Sequence, residues 1–189
     1  IDTLFPYTTL FRSRVVRIDL IGHGDSDIPD EDKAYTIPQM IKDLHTVIYY
    51  MVGESYYLMG YSMGARIALS YALQYEREIK GLILESGSVG IASDAERAAR
   101  RKADEDLAVH IEEHDGAWFA ARWAEAPIFE SQKQLSEGVE ELIYLRRSNN
   151  SPYALACTLR SSGQGVMPYV GDKLKNFSVK GLYVSGALD

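Results

Sequence analysis

Residues 56–66 read Tyr-Tyr-Leu-Met-Gly-Tyr-Ser-Met-Gly-Ala-Arg, and this stretch decides the fold class. Tyr56-Tyr-Leu-Met59 is a short apolar run with a strand's composition, whereas from Ala65 onward Ala68, Tyr71, Ala72 and Tyr75 recur at helical spacing. Between them Gly60-Tyr-Ser62-Met-Gly64 fits G-x-S-x-G, in the strand-to-helix setting that a nucleophile elbow requires. A serine at the tip of so sharp a turn sits in a strained backbone conformation, and small residues two positions to either side let strand and helix approach closely. Gly60 and Gly64 are expected to supply that room. The turn also sets the Met63 N–H at a helix N-terminus, where it can stabilise a developing oxyanion.

Working outward, residues 14–20 (RVVRIDL) are rich in β-branched side chains and run into Ile21-Gly-His-Gly-Asp-Ser26, so a strand followed by a turn is expected. Thr36 and Gln39 stand at capping-box spacing with Pro38 in the first turn, and Ile41, Leu44 and Ile48 carry the helix to about Val52. On the other side of the elbow, Gly81-Leu-Ile-Leu-Glu85 is a second strand candidate. Alternating strands and helices argue for the α/β class, with a mostly parallel sheet and helices on both faces. From Ser88 to Gly165 no strand candidate occurs and helical spacing dominates. Ser93 and Glu96 form a second capping box, opening a helix that can run to about His114. The chain returns through Ser161-Ser-Gly-Gln-Gly165 to a last apolar run, Gly181-Leu-Tyr-Val-Ser185, expected to be a buried strand. The predicted organisation is a core over 14–88, a helical cap over 89–165 and a return to the core over 166–189.

A chain of 189 residues, 46% apolar and 25% charged, has enough apolar surface for one core with a small inserted lobe. The 27 acidic against 20 basic residues give a net charge of −7, which disfavours nucleic acid as a partner. The longest apolar runs, such as 47–52, are far short of the roughly 18 residues of a membrane span. A lone cysteine, Cys157, fits a reducing compartment, and a cytoplasmic location is expected. The ends are unusual. Residues 3–13 read TLFPYTTLFRS, the translation of a common sequencing-library adapter, so residues 1–13 are expected to be adapter-derived and 3–13 to make no specific packing contacts. The last residue, Asp189, directly follows the last strand candidate, so the chain is expected to be a fragment, incomplete at both ends.

A catalytic serine needs a histidine, itself oriented by a carboxylate. With the acid on the loop after a later strand, Asp189 is the candidate, and none of His23, His45, His110 and His114 follows it. The fragment is therefore expected to be inactive. Arg66 falls in the first turn of the helix after Ser62, where a cation opposes the helix dipole and an anionic ligand would compensate. Arg100 falls on the stripe with Ala103, Leu107 and Ile111, the face expected to turn toward the protein. Arg146 and Arg147 adjoin, and only one can point inward. Trp123 and Phe129 are candidates for an apolar wall or for the lobe's own core. His110-Ile-Glu-Glu-His114 fits H-x-x-E-H but has no evident third ligand, so a solvated helix surface is expected and no metal.

These stretches resemble the α/β-hydrolase superfamily and, within it, the 2-succinyl-6-hydroxy-2,4-cyclohexadiene-1-carboxylate synthases of menaquinone biosynthesis. The resemblance rests on Asp19-Leu-Ile-Gly-His-Gly-Asp-Ser26, Gly60-Tyr-Ser-Met-Gly-Ala-Arg66, Leu84-Glu-Ser86, Ala95-Glu-Arg-Ala-Ala-Arg100, Trp123 with Pro127-Ile-Phe129, Arg147-Ser-Asn-Asn150 and Gly163-Gln-Gly165. It implies a cofactor-free lyase that expels pyruvate from a small polycarboxylate. It also implies that Ser62 and Asp189 are triad members, that Met63 belongs to the oxyanion hole, and that Tyr61, Arg66, Arg100, Trp123, Phe129 and Arg147 line the substrate pocket. Ala65 stands where the family usually has a second glycine, and the family's His-Gly oxyanion loop would precede Arg14. A serine hydrolase or a ligand-binding protein without turnover are the alternatives, which a neutral pocket or a missing histidine would favour.

Overall fold

A computed structural model describes residues 2–3 and 14–187. Strands β1 (Asp2–Thr3) and β2 (Val16–Arg17) pair antiparallel, and helix α1 (Ile37–Met51) follows. Strand β3 (Tyr56–Tyr61), helix α2 (Met63–Gln74) and strand β4 (Ile79–Glu85) complete the first part of the core. Helices α3 (Asp94–Glu112), α4 (Gly116–Ala124), α5 (Glu137–Ser148) and α6 (Pro152–Ser162) make the helical stretch, and strand β5 (Gly181–Val184) returns to the sheet. The order β3-β4-β5 is parallel throughout, with Gly60 opposite Leu84 and Ile83 opposite Leu182. Parallel neighbours require crossovers, and α2 supplies the first of them while the helical stretch forms the second.

The core lies on one face of this sheet. Ile37, Ile41 and Ile48 of α1 and Ala68, Leu69 and Ala72 of α2 pack with Tyr56, Leu58 and Leu82. The opposite pleat carries Tyr57, Met59 and Tyr61, all exposed, so among the described residues the helices cover one face where the pattern predicted two. A second cluster joins Tyr35, Met40 and Ile67 of the core to Ala154 and Cys157, which seats α6 against the sheet's helices as well as against α3.

Several sequence expectations change. The strand expected over 14–20 shrinks to two residues, because its only ladder partner among the described residues is β1. That partner includes Thr3, which pairs with Val16 although no packing was expected of it. The remainder of the expected adapter-derived stretch, 4–13, lies outside the described residues. β5 is exposed rather than buried, since it borders β4 alone among the described strands. Thr36 does not cap α1: its Oγ1 donates instead to Lys33 O at 2.8 Å, drawn by the 3-10 turn Asp32–Tyr35 that abuts the helix. Ser93 does cap α3, accepting from Glu96 N at 3.3 Å. No helix is long and apolar enough to cross a membrane among the described residues.

Candidate active site

At the end of β3 the chain reverses through Ser62, which has φ 51° and ψ −113° and is exposed. This is backbone that non-glycine residues rarely adopt, and such strain collects at functional sites. Two forces hold it. Ser62 N donates to Glu85 O at 2.8 Å, extending the β3–β4 ladder past the strand end, while Ala65 N and Arg66 N donate to Ser62 O and start α2. The glycines do not share the work equally. A Cβ on Gly60 would fall 2.5 Å from the Gly64 carbonyl carbon and 2.7 Å from Ala65 Cα, whereas one on Gly64 would meet nothing within 4 Å. Gly60 is what lets helix and strand touch. Ala65 is fully buried, and the room for its methyl comes from Gly87, where a Cβ would fall 2.6 Å from Ala65 Cβ. Met63 opens α2, so its N–H points out of the helix beside Ser62, as an oxyanion donor must.

Two arginine groups lie in or against the helical stretch. In the first, Arg100 Nε donates to Asp104 Oδ1 at 2.8 Å and its Nη1 reaches Gln164 Oε1 at 3.5 Å. Asp104 is only 4% exposed and also accepts from Gly165 N at 3.4 Å. Arg66, half-buried, places Nη1 on Ser162 O at 3.3 Å, at the C-terminus of α6, where carbonyl dipoles favour a cation. Burial and the charge of Arg100 lower the Arg66 pKa to about 10, with Asp104 pulling the other way. Asp104 thus bonds Arg100 and acts on Arg66 through its charge alone. In the second group Arg147 stacks over the Phe129 ring at 4.4 Å and donates from Nη2 to Gln132 Oε1 at 3.0 Å. Burial lowers the Arg147 pKa, and the charge interaction with Tyr61 opposes that shift. Trp123 packs on Phe129 with ring centroids 5.9 Å apart, and a cavity of about 260 Å³ opens beside Phe129, Tyr144 and Arg147. Arg146 is exposed, so Arg147 is the inward member of the pair.

The histidines are all engaged away from Ser62. His23 Nδ1 lies 3.0 Å from Ile21 O, and His45 pairs with Glu78 and stacks on Tyr75. His110 and His114 each turn Nδ1 to a carbonyl one helical turn back, and both stack on Trp118. No group of three potential metal ligands occurs among the described residues. Asp189 lies outside the described residues.

The sequence pattern of the alpha/beta hydrolase fold matches residues 5–173. The chain belongs to the alpha/beta hydrolase fold family. Among its relatives, 2-succinyl-6-hydroxy-2,4-cyclohexadiene-1-carboxylate synthase of Serratia proteamaculans (strain 568) is 31% identical over 91% of this chain and 66% of its own length. A Bacillus subtilis (strain 168) protein, provisionally given the same name, is 33% identical over 94% of this chain and 65% of its own length. The solved structure of MenH from S. aureus superposes with a TM-score of 0.85 at 35% identity, over 91% of this chain and 64% of that one. The chain therefore spans just under two thirds of the relatives it matches.

In this α/β-hydrolase the residue that sequence reasoning missed is Asp104. The inner face of α3 was read as Arg100, Ala103, Leu107 and Ile111, but Ala103 is exposed and Asp104, Ala108 and Ile111 are buried. An Arg100–Asp104 pair four residues apart on a helix was the available signal. The Gly163-Gln-Gly165 turn acquires a physical reason too. A Cβ on Gly165 would fall 2.5 Å from Arg101 N, and one on Gly163 would fall 2.7 Å from Asp104 Oδ2. Both glycines let the end of α6 lie directly on α3.

Proposed function

We propose that the whole protein is a carbon–oxygen lyase that eliminates pyruvate from 2-succinyl-5-enolpyruvyl-6-hydroxy-3-cyclohexene-1-carboxylate, forming 2-succinyl-6-hydroxy-2,4-cyclohexadiene-1-carboxylate for menaquinone synthesis. The observation that carries this reading is the pair of guanidiniums, Arg66 on the helix that follows Ser62 and Arg100 on the cap, with one carboxylate, Asp104, bonded to Arg100 and felt by Arg66 only through its charge. An esterase pocket has no need of an uncompensated cation there, whereas a polycarboxylate substrate does. The names of the Serratia proteamaculans and S. aureus relatives support the same activity.

In this mechanism Ser62 is the reacting hydroxyl and Asp189 the acid of a Ser-His-Asp triad. The histidine is assigned to the third of the relatives' length that this chain does not match, because no described histidine hydrogen-bonds Ser62. A chain without that base is expected to turn over no substrate. The base removes a ring proton beside the succinyl carbonyl through Ser62, and the electron pair moves to the carbonyl oxygen as an enolate held by the Met63 N–H. The enolate collapses, the ring carbon–oxygen bond breaks, and the enolpyruvyl group leaves and is protonated to pyruvate. No cofactor takes part. Arg66 and Arg100 hold one carboxylate and Arg147 another, while Tyr61, Trp123 and Phe129 wall the ring. A reducing, cytoplasmic setting fits the unpaired, buried Cys157.

The test is pyruvate release from freshly generated substrate, measured by a coupled assay on the whole protein. Ser62→Ala should lower turnover at least about 1,000-fold while leaving substrate binding within a few fold, because the hydroxyl relays the proton and the arginines hold the carboxylates. Full activity in Ser62→Ala, or brisk hydrolysis of simple esters without pyruvate, would overturn the assignment in favour of a serine hydrolase.

A further inference from the structure

Arginine pairs are the usual receptors for phosphate as well as for carboxylate, because a guanidinium fork matches both anions. What separates the two at neutral pH is charge, one unit for a carboxylate and nearly two for a phosphate monoester. The cluster at the end of α6 has a fixed charge count. Arg66 and Arg100 contribute two positive charges, and among the described residues the only carboxylate bonded within it is Asp104, which is 4% exposed. Gln164 and Met167, the other side-chain partners, are neutral.

We infer that Asp104 is a positioning and specificity-determining residue: it holds Arg100 by Nε and trims the Arg66–Arg100 pair to one net positive charge, so that the pair matches a monoanionic carboxylate and gains little from the second charge of a phosphate dianion. This rests on the reading of the cluster as a carboxylate site and adds to it the valence of the ligand. Three features support it. The bond from Asp104 takes the Nε edge, leaving the terminal nitrogens of Arg100 for a ligand, with only a long 3.5 Å contact to Gln164. Asp104 is itself fixed from the other side by Gly165 N at 3.4 Å, in the turn that the glycines press onto α3. Arg66 responds to both partners, since the charge of Arg100 lowers its pKa and that of Asp104 raises it. Beside the half-buried Arg66 and the buried Asp104 a dianion would leave one negative charge uncompensated, which costs more than it would in open water.

The test is calorimetric titration of the whole protein with benzoate and with phenyl phosphate at pH 7.5, where the phosphate monoester is mostly dianionic. The wild-type protein should bind phenyl phosphate no more than about threefold tighter than benzoate. Asp104→Asn keeps the size of the side chain and an oxygen acceptor for Arg100 Nε while removing the charge, and should shift the ratio toward phenyl phosphate by about tenfold or more, taking the coupling of close charges. Asp104→Asn combined with Arg66→Gln restores one net charge and should return the ratio to the wild-type value. A loss of binding through a merely structural role would weaken both anions alike and leave the ratio unchanged, which overturns the inference. If Asp104→Asn does not fold, the wild-type protein decides. Phenyl phosphate affinity that stays level from pH 5 to pH 7.5, as its second proton leaves, supports the inference, and a tenfold gain refutes it. Saturation by neither anion would instead sink the carboxylate-site reading beneath it.

Discussion

Replacing each elbow glycine by alanine should have opposite consequences, although the motif treats them as equivalent. At Gly60 the added methyl falls 2.5 Å from the Gly64 carbonyl carbon and 2.7 Å from Ala65 Cα, against 3.4 Å for ordinary van der Waals contact. Backbone atoms cannot rotate away, so α2 and β3 must separate by about 0.8 Å, and overpacking of this kind costs about 2–3 kcal/mol. For a chain of this size that loss corresponds to a melting temperature lower by about 5–10 °C. At Gly64 the methyl meets nothing within 4 Å, and the residue lies in the first turn of α2, so alanine should be neutral or stabilising by up to about 1 kcal/mol. Urea unfolding followed by far-ultraviolet circular dichroism measures both variants beside the wild type. Midpoints for Gly60→Ala and Gly64→Ala that agree within about 0.5 kcal/mol would refute the claim that the elbow's closeness is borne by Gly60 alone.

Ser62→Gly should raise stability by about 1 kcal/mol, since glycine tolerates φ 51° freely, and in the whole protein it should abolish pyruvate release; a destabilised Ser62→Gly would mean that the turn is not strained. Gly165→Ala should cost about 2 kcal/mol in urea unfolding, because its methyl would fall 2.5 Å from Arg101 N and lift the turn from α3, and it should weaken benzoate binding with it. Arg160 hydrogen-bonds Glu105 and Glu112 of α3, and its bonds lower the Glu112 pKa below the ordinary 4.5. Glu112 therefore contributes stability that is present above about pH 4.5 and is lost as pH falls through its lower folded value. Arg160→Met should remove at most about 1 kcal/mol at pH 7, for a pair this exposed, and should flatten the acid side of the stability curve; an unchanged acid slope would refute the link.

What could be read from the sequence was what depends on near neighbours. The elbow, α1 and α2 are each specified within a few residues by spacing, and the Ser93 cap by a side chain that reaches a backbone N–H three residues on. Apart from Thr36, the failures involve partners far along the chain. Thr36 has the right identity for a cap, but a preceding 3-10 turn offers its hydroxyl a nearer acceptor. The apolar run of β5 was taken for a buried strand, yet composition cannot say whether a strand has one neighbour or two. Asp104 escaped notice because an aspartate beside an apolar stripe is normally solvated, and its burial depends on Gly165, 61 residues away. The choice between Arg146 and Arg147 likewise needed Phe129 and Gln132 in place.

The two halves of the site are therefore built on different physical terms. The proposed reacting end is a backbone device: a ladder bond to Glu85, a crowded glycine and a helix start put Ser62 where it is, with β4 and Gly87 as its only requirements outside residues 56–66 among those described. The recognising end is a chain of dependencies through tertiary packing. Gly163 and Gly165 admit the end of α6 to the surface of α3, that contact puts the Gly165 N–H on Asp104, Asp104 takes the Nε of Arg100, and only then are the outer nitrogens of Arg100 presented beside Arg66. Substrate choice in this fold family would on this account drift by changes at small, unreactive positions such as Gly163 and Gly165 as readily as by loss of an arginine, while Ser62 and its turn stayed unaltered. On the proposed function the arginines recognise the anion, but their geometry is set by residues that would not touch it.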